Sequence, residues 1–90
     1  MQELGYKVVV SGSVQGVGFR YFTAKKAKDL AISGHAKNLS NGTVEVLMFG
    51  KKTQLDILLN WLKEGPPMSN VIDIKVTNIP YSNLNLFSCY

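Results

Sequence analysis

Three of the chain's eight glycines fall within seven positions, in the stretch Gly12-Ser13-Val14-Gln15-Gly16-Val17-Gly18-Phe19-Arg20. Upstream, Tyr6-Lys7-Val8-Val9-Val10 reads as a strand with one apolar face. Downstream, Tyr21 to Ser33 reads as a helix, with Phe22, Ala27, Leu30 and Ala31 on its inner side. The glycine stretch must therefore turn a strand end into a helix start, where main-chain N–H groups lack partners. Glycines let such a loop curl until successive N–H groups converge on one anion. Arg20 closes the stretch and is the sole arginine beside nine lysines. Its planar fork matches two oxygens of a phosphoryl group better than a lysine can. The loop reads as an anion site, and its plainer alternative is a tight turn with a surface arginine.

The remaining elements follow from periodicity and breakers. Gly34 is placed to stop the first helix, and His35-Ala36-Lys37-Asn38 is a short extended segment. Ser40-Asn41-Gly42 predicts a tight hairpin turn with positive φ angles, and Thr43 to Phe49 is the return strand. Thr53-Gln54-Leu55-Asp56 resembles a capping box for a second helix, whose Leu55, Leu58, Leu59 and Leu62 form one stripe. Gly65-Pro66-Pro67 ends it. Val71 to Val76 alternates as a fourth strand with Ile72, Ile74 and Val76 on one face, and Asn85 to Tyr90 reads as a terminal strand. This order predicts a split β-α-β arrangement of the α+β class. Its antiparallel sheet has four to five strands and carries both helices on one face.

Ninety residues, 46% of them hydrophobic, suit one modest core, so a single domain is expected over 1–90. No apolar run approaches the roughly 20 residues of a membrane helix, and Met1-Gln2-Glu3-Leu4-Gly5 lacks a signal pattern. With Cys89 as the only cysteine, no intramolecular disulfide forms, and a cytoplasmic protein with a quiet, buried thiol is expected. A net charge of +4 suits a small anionic substrate or weak nucleic-acid binding. The lysine groups Lys25-Lys26-Lys28 and Lys51-Lys52 read as solvated helix faces.

Catalytic chemistry is bounded by what is missing from the sequence. One histidine, His35, and one distant cysteine give no metal-ligand spacing, so no metal is expected. Neither Cys89 nor any serine has a histidine partner in sequence, and no pair of carboxylates suggests general acid–base work. An ordinary phosphate ester expels a poor alkoxide, which needs protonation or a metal. An acyl phosphate expels a carboxylate whose conjugate acid has a pKa of about 4. For that leaving group a protein need only hold the phosphoryl group and set a water in line. An asparagine carbonyl could orient the water, and Asn38 ends the segment after the first helix, four residues before Gly42, while Asn41 stands in the turn. Spacing alone does not separate them.

The glycine stretch from Gly12 to Arg20 resembles the first signature of the acylphosphatases. Gly34-His35-Ala36-Lys37-Asn38, followed by Gly42-Thr43-Val44 and Gly50, resembles the second, in the family's order and spacing. The resemblance spans essentially the whole chain. It implies a ferredoxin-like α/β sandwich and cofactor-free hydrolysis of acyl phosphates to carboxylate and phosphate, with phosphate also a competitive inhibitor. By position, Arg20 would be the phosphate-binding arginine and Asn38 the water-positioning asparagine. The main chain of Gln15, Gly16, Val17, Gly18, Phe19 and Arg20 would be the phosphate cradle. The chain departs from the family at His35, where an aromatic residue is usual. Strand alternation puts His35 on the face opposite Asn38, so altered packing or a pH-dependent contact is expected there. A free-standing monomer with a small-molecule substrate, no specific nucleic acid and no membrane is the resulting expectation. The alternatives are a non-catalytic nucleic-acid or anion-binding module of the same fold, and a carbamoyl phosphate-directed domain of a larger enzyme. RNA-binding sheets of this kind expose aromatics on their central strands, and only Tyr6 and Phe49 are available.

Overall fold

A computed structural model describes residues 2–90. Its elements are β1 (Glu3–Ser13), α1 (Phe19–Asp29), β2 (Ser33–Asn38), β3 (Val44–Lys51), α2 (Lys52–Glu64), β4 (Asn70–Ile79) and β5 (Phe87–Cys89). The strands form one sheet in the order β4-β1-β3-β2-β5, with both helices packed on it. Four strands pair antiparallel, as their alternation implies. The short β5 instead joins β2 in parallel, so the sheet is mixed. The segment from Pro80 to Leu86 carries the chain from β4 at one sheet edge to β5 at the other.

The core lies between the inner sheet face and the helices. Tyr6, Val8 and Val10 from β1 meet Val44, Val46 and Met48 from β3, under Leu55, Leu58 and Leu62 from α2. That leucine stripe sits as its spacing predicts. The capping box does not form: Lys51 is the N-cap of α2 and no side chain caps it. Asp56 is engaged elsewhere, accepting from Lys52 Nζ at 2.7 Å and from the Tyr6 hydroxyl at 3.1 Å. The Lys52 ammonium holds the Asp56 carboxyl below its ordinary range, whereas burial and then Asp56 raise the Tyr6 phenol.

Two other expectations change in phase. Helix α1 starts two residues earlier than its apolar spacing suggested and ends at Asp29. Phe19, Thr23, Ala24 and Ala27 face the core, while Phe22 is 40% exposed. The helix is closed by Ala31, at φ 57, and Gly34 lies inside β2 instead. A Cβ on Gly34 would stand 1.9 Å from the Leu47 carbonyl oxygen, so the residue lets β2 and β3 approach. In β4, the register slips opposite Ser11/Gly12. Val71 then packs against the core in place of Ile72, which is left 76% exposed. A bulge breaks the period-two pattern that put Ile72 with Ile74 and Val76.

Candidate active site

The glycine loop runs from the end of β1 to the start of α1, and its shape follows from two residues. Gly16 has φ 76, and Gly18, the N-cap of α1, has φ 79 and ψ 13. Both are left-handed, where a side chain is strained. No side chain caps α1, so the amides at its start are left without a capping partner. Among the described residues, no main-chain carbonyl accepts from the N–H groups of Gln15 through Arg20. Phe19 and Val14 are buried beneath the loop and anchor it to the core. The sequence pattern of glycines between apolar anchors thus yields a run of free donors on a fixed base.

Gln15 fastens the loop on its other side. Its Nε2 donates to the Leu39 carbonyl at 2.8 Å and to the Thr43 carbonyl at 2.9 Å, spanning the turn after β2. That turn begins immediately beyond Asn38, the last residue of β2. The Asn38 side-chain oxygen is buried and has no hydrogen-bond partner. The Thr23 hydroxyl, on the inner face of α1, is in the same condition. Buried polar atoms are nearly always paired, so these two oxygens stand apart from the rest of the interior.

Arg20 and Asn38 meet on a single atom. The Asn38 N–H donates to the Tyr90 main-chain oxygen at 3.2 Å, and Arg20 Nη1 donates to the same oxygen. The Tyr90 N–H returns a bond to the Ala36 carbonyl at 2.9 Å, continuing the β2–β5 ladder. The Cys89 thiol donates to the Arg20 carbonyl at 3.4 Å. Cys89 and Tyr90, at the end of β5, therefore stand against Arg20 and Asn38. Sequence reasoning missed this because a main-chain oxygen has no side-chain signature. Cys89 is exposed here, contrary to the buried thiol expected.

A cavity of about 290 Å³ opens beside the loop, lined by Val14, Gly16, Gly18, Phe19, Arg20 and their neighbours Tyr21 and Cys89. Arg20 is its only charged residue. A larger cavity of about 590 Å³ lies at the opposite end of β1, between Glu3, Lys28, Phe49 and Tyr81. Its lining includes neither Arg20, nor Asn38, nor any residue of the glycine loop.

The family model described as Acylphosphatase matches residues 6–88. The chain belongs to the acylphosphatase family. It is therefore an enzyme of the hydrolase class. An acylphosphatase from Psychromonas ingrahamii is 49% identical over 97% of each chain. The structure superposes on an acylphosphatase from Coxiella burnetii with a TM-score of 0.93 at 40% identity, covering 98% of this chain and 93% of that one. An acylphosphatase from Bacillus subtilis gives a TM-score of 0.89 at 39% identity, covering 97% and 98% respectively. Within this acylphosphatase fold, both aromatics available to a nucleic-acid platform are withdrawn: Tyr6 is 8% exposed and Phe49 is 5% exposed.

The outer sheet face carries the departure at His35. His35 Nε2 lies 2.9 Å from Glu45 Oε2, and Lys7 Nζ lies 3.7 Å from the other carboxylate oxygen. The Tyr90 ring packs edge-on against the imidazole, with centroids 5.4 Å apart. His35 and Asn38 thus project from opposite faces of β2, and the histidine supports the strand without entering the cavity. Among the described residues, no group of three or more His, Cys, Asp or Glu side chains could hold a metal. No helix is long and apolar enough to cross a membrane.

Proposed function

We propose that the chain hydrolyses acyl phosphates to a carboxylate and inorganic phosphate by in-line attack of a water that Asn38 orients. The phosphoryl group is held by Arg20 and by the N–H groups from Gln15 to Arg20. The observation that carries this reading is the Asn38 side-chain oxygen, buried without a partner at the strand end beside a loop of unpaired amides. A carbonyl-type acceptor can take a proton bond from water without setting a second anion beside phosphate. The amides and the guanidinium place positive potential where three phosphoryl oxygens share charge in the transition state. Because the carboxylate leaves unprotonated, no side chain has to act as an acid.

Arg20 donates to the Tyr90 oxygen and lines the cavity. A bound phosphoryl group competes for that fork, which can pair with two of its oxygens at once. The product phosphate occupies the same donors, so it competes with substrate.

The test is hydrolysis of benzoyl phosphate and acetyl phosphate by the purified chain, with and without exhaustive chelation. The expected result is turnover that survives the chelator and is competitively inhibited by inorganic phosphate. Activity abolished by chelation and restored by magnesium or zinc would show that the proposed mechanism lacks an essential component.

A further inference from the structure

We propose that Tyr21 is a specificity-determining residue that selects flat, uncharged acyl groups, so that the preferred substrates are aroyl phosphates. The inference rests on the acyl-phosphate reading of the site and concerns the half of the substrate that does not react. With Arg20 holding the phosphoryl end, the rest of the cavity is uncharged. Val14 and Phe19 give it an apolar floor, Gly16 and Gly18 add no side chain, and the Cys89 thiol closes one side. An acyl group bearing its own carboxylate or ammonium would find no opposite charge in this lining and would lose hydration on entry. At about 290 Å³ the cavity is at the small end for organic ligands, which leaves room for one compact group beside phosphate.

Tyr21 is the aromatic residue of that lining with a free surface, being 64% exposed. It follows Arg20 directly in sequence, so the residue that holds the phosphoryl group and the one that meets the acyl group move together. The Tyr21 ring is also pre-set. Phe22 packs edge-on against it at a centroid distance of 5.3 Å and an interplanar angle of 75°. Phe22 in turn rests over the cradle, since a Cβ on Gly18 would lie 3.3 Å from its ring. The chain of contact runs from the loop glycine through Phe22 to Tyr21. A ring held in this way can stack an aroyl group with little loss of side-chain freedom on binding.

The test measures kcat/KM for benzoyl phosphate and for acetyl phosphate in the wild type, Tyr21→Ala and Tyr21→Phe, with the inhibition constant of inorganic phosphate as a report on the cradle. In Tyr21→Ala the benzoyl-to-acetyl ratio of kcat/KM should fall by about three- to tenfold, the range for losing one aromatic pair. The fall should come through KM for benzoyl phosphate, and Tyr21→Phe should keep the wild-type ratio. An unchanged inhibition constant for phosphate in Tyr21→Ala shows that the site is still folded. Wild-type activity on both substrates with a ratio unmoved by Tyr21→Ala overturns this inference alone. Equal losses on both substrates, with weakened phosphate inhibition, overturn it too by assigning Tyr21 to the phosphoryl side. A folded wild type inactive on both substrates removes the acyl-phosphate reading and this inference with it.

Discussion

Asn38 and Asn41 stand on either side of the same bend, and their side-chain oxygens meet opposite fates. The Asn38 oxygen is buried and unpartnered at the end of β2. The Asn41 oxygen, in the exposed turn, accepts from the Thr43 hydroxyl at 2.6 Å and from the Thr43 N–H at 3.2 Å. One oxygen costs folding energy and gains nothing inside the chain. The other closes a local turn and is satisfied by it. Buried acceptors without partners are destabilising by about 1–3 kcal/mol, and the proposed water would satisfy this one. The contrast fits the proposed division of labour, in which Asn38 orients the water and Asn41 shapes the turn, where sequence spacing separated neither.

The most severe way to break the contrast is Asn38→Ala. Losing one preorganised polar group at a reacting centre lowers kcat by about 10²–10³-fold. KM should change little, because Arg20 and the loop amides still hold the phosphoryl group. Stability should be unchanged or slightly raised, since the substitution removes an unsatisfied buried oxygen. A steady-state assay with a urea melt decides it. Retained kcat in Asn38→Ala would end the water-positioning role.

Arg20→Lys comes next in size. The charge stays, but the planar fork is lost, and with it one charge-assisted hydrogen bond of about 1.5–3 kcal/mol. kcat/KM should therefore fall by about 10–100-fold, with inhibition by inorganic phosphate weakened in parallel. The fold should persist, as Arg20 lines a cavity and lies outside the core cluster. Near-normal phosphate inhibition in a folded Arg20→Lys protein would take the guanidinium out of the site.

Gln15→Ala sharpens the comparison because Gln15 holds the segment between the two asparagines. The substitution removes one of the donors to each of the Leu39 and Thr43 carbonyls. Two hydrogen bonds of about 1 kcal/mol each are lost, so the urea midpoint should drop measurably. kcat should fall as well, by less than in Asn38→Ala, since the strand end carrying Asn38 loses its tie to the loop. A loss of stability with kcat wholly preserved would mean that the tie is irrelevant to the site.

The pattern of what could be read from sequence follows from which interactions are periodic. Alternation in Tyr6, Val8 and Val10 and the leucine stripe of α2 mark core faces directly, and all of these but the half-buried Leu59 are buried as expected. The loop was legible because glycines and a lone arginine are chemically distinctive. Events that change phase leave no such mark. The bulge that exposes Ile72 depends on register against β1, and the earlier start of α1 depends on Phe19 being drawn into the core. The Tyr90 oxygen that joins Arg20 to Asn38 is main chain, so any residue type could have supplied it. Asn41 belongs with these misreadings. An Asn-Gly pair suggests positive φ at both positions, yet only Gly42 has it, at φ 90.

That correction sets the smallest effect. With Asn41 at negative φ, alanine meets no backbone strain there, and the whole cost of Asn41→Ala comes from the two bonds to Thr43. The turn itself stays closed by the Gly42 N–H to the Leu39 carbonyl at 3.2 Å and by the Leu39 N–H to the Thr43 carbonyl at 2.9 Å. Exposed side-chain bonds of this local kind are worth about 0.5–1.5 kcal/mol together. Asn41→Ala should lower stability by that amount and leave kcat per folded molecule at the wild-type level. Asn41→Asp keeps an acceptor for both Thr43 donors and should recover most of the loss. Side by side in one urea series and one kinetic series, Asn38→Ala should be slow and stable, and Asn41→Ala active and weakened. A reversed pair of phenotypes would assign the water to Asn41 and leave the buried Asn38 oxygen without an account.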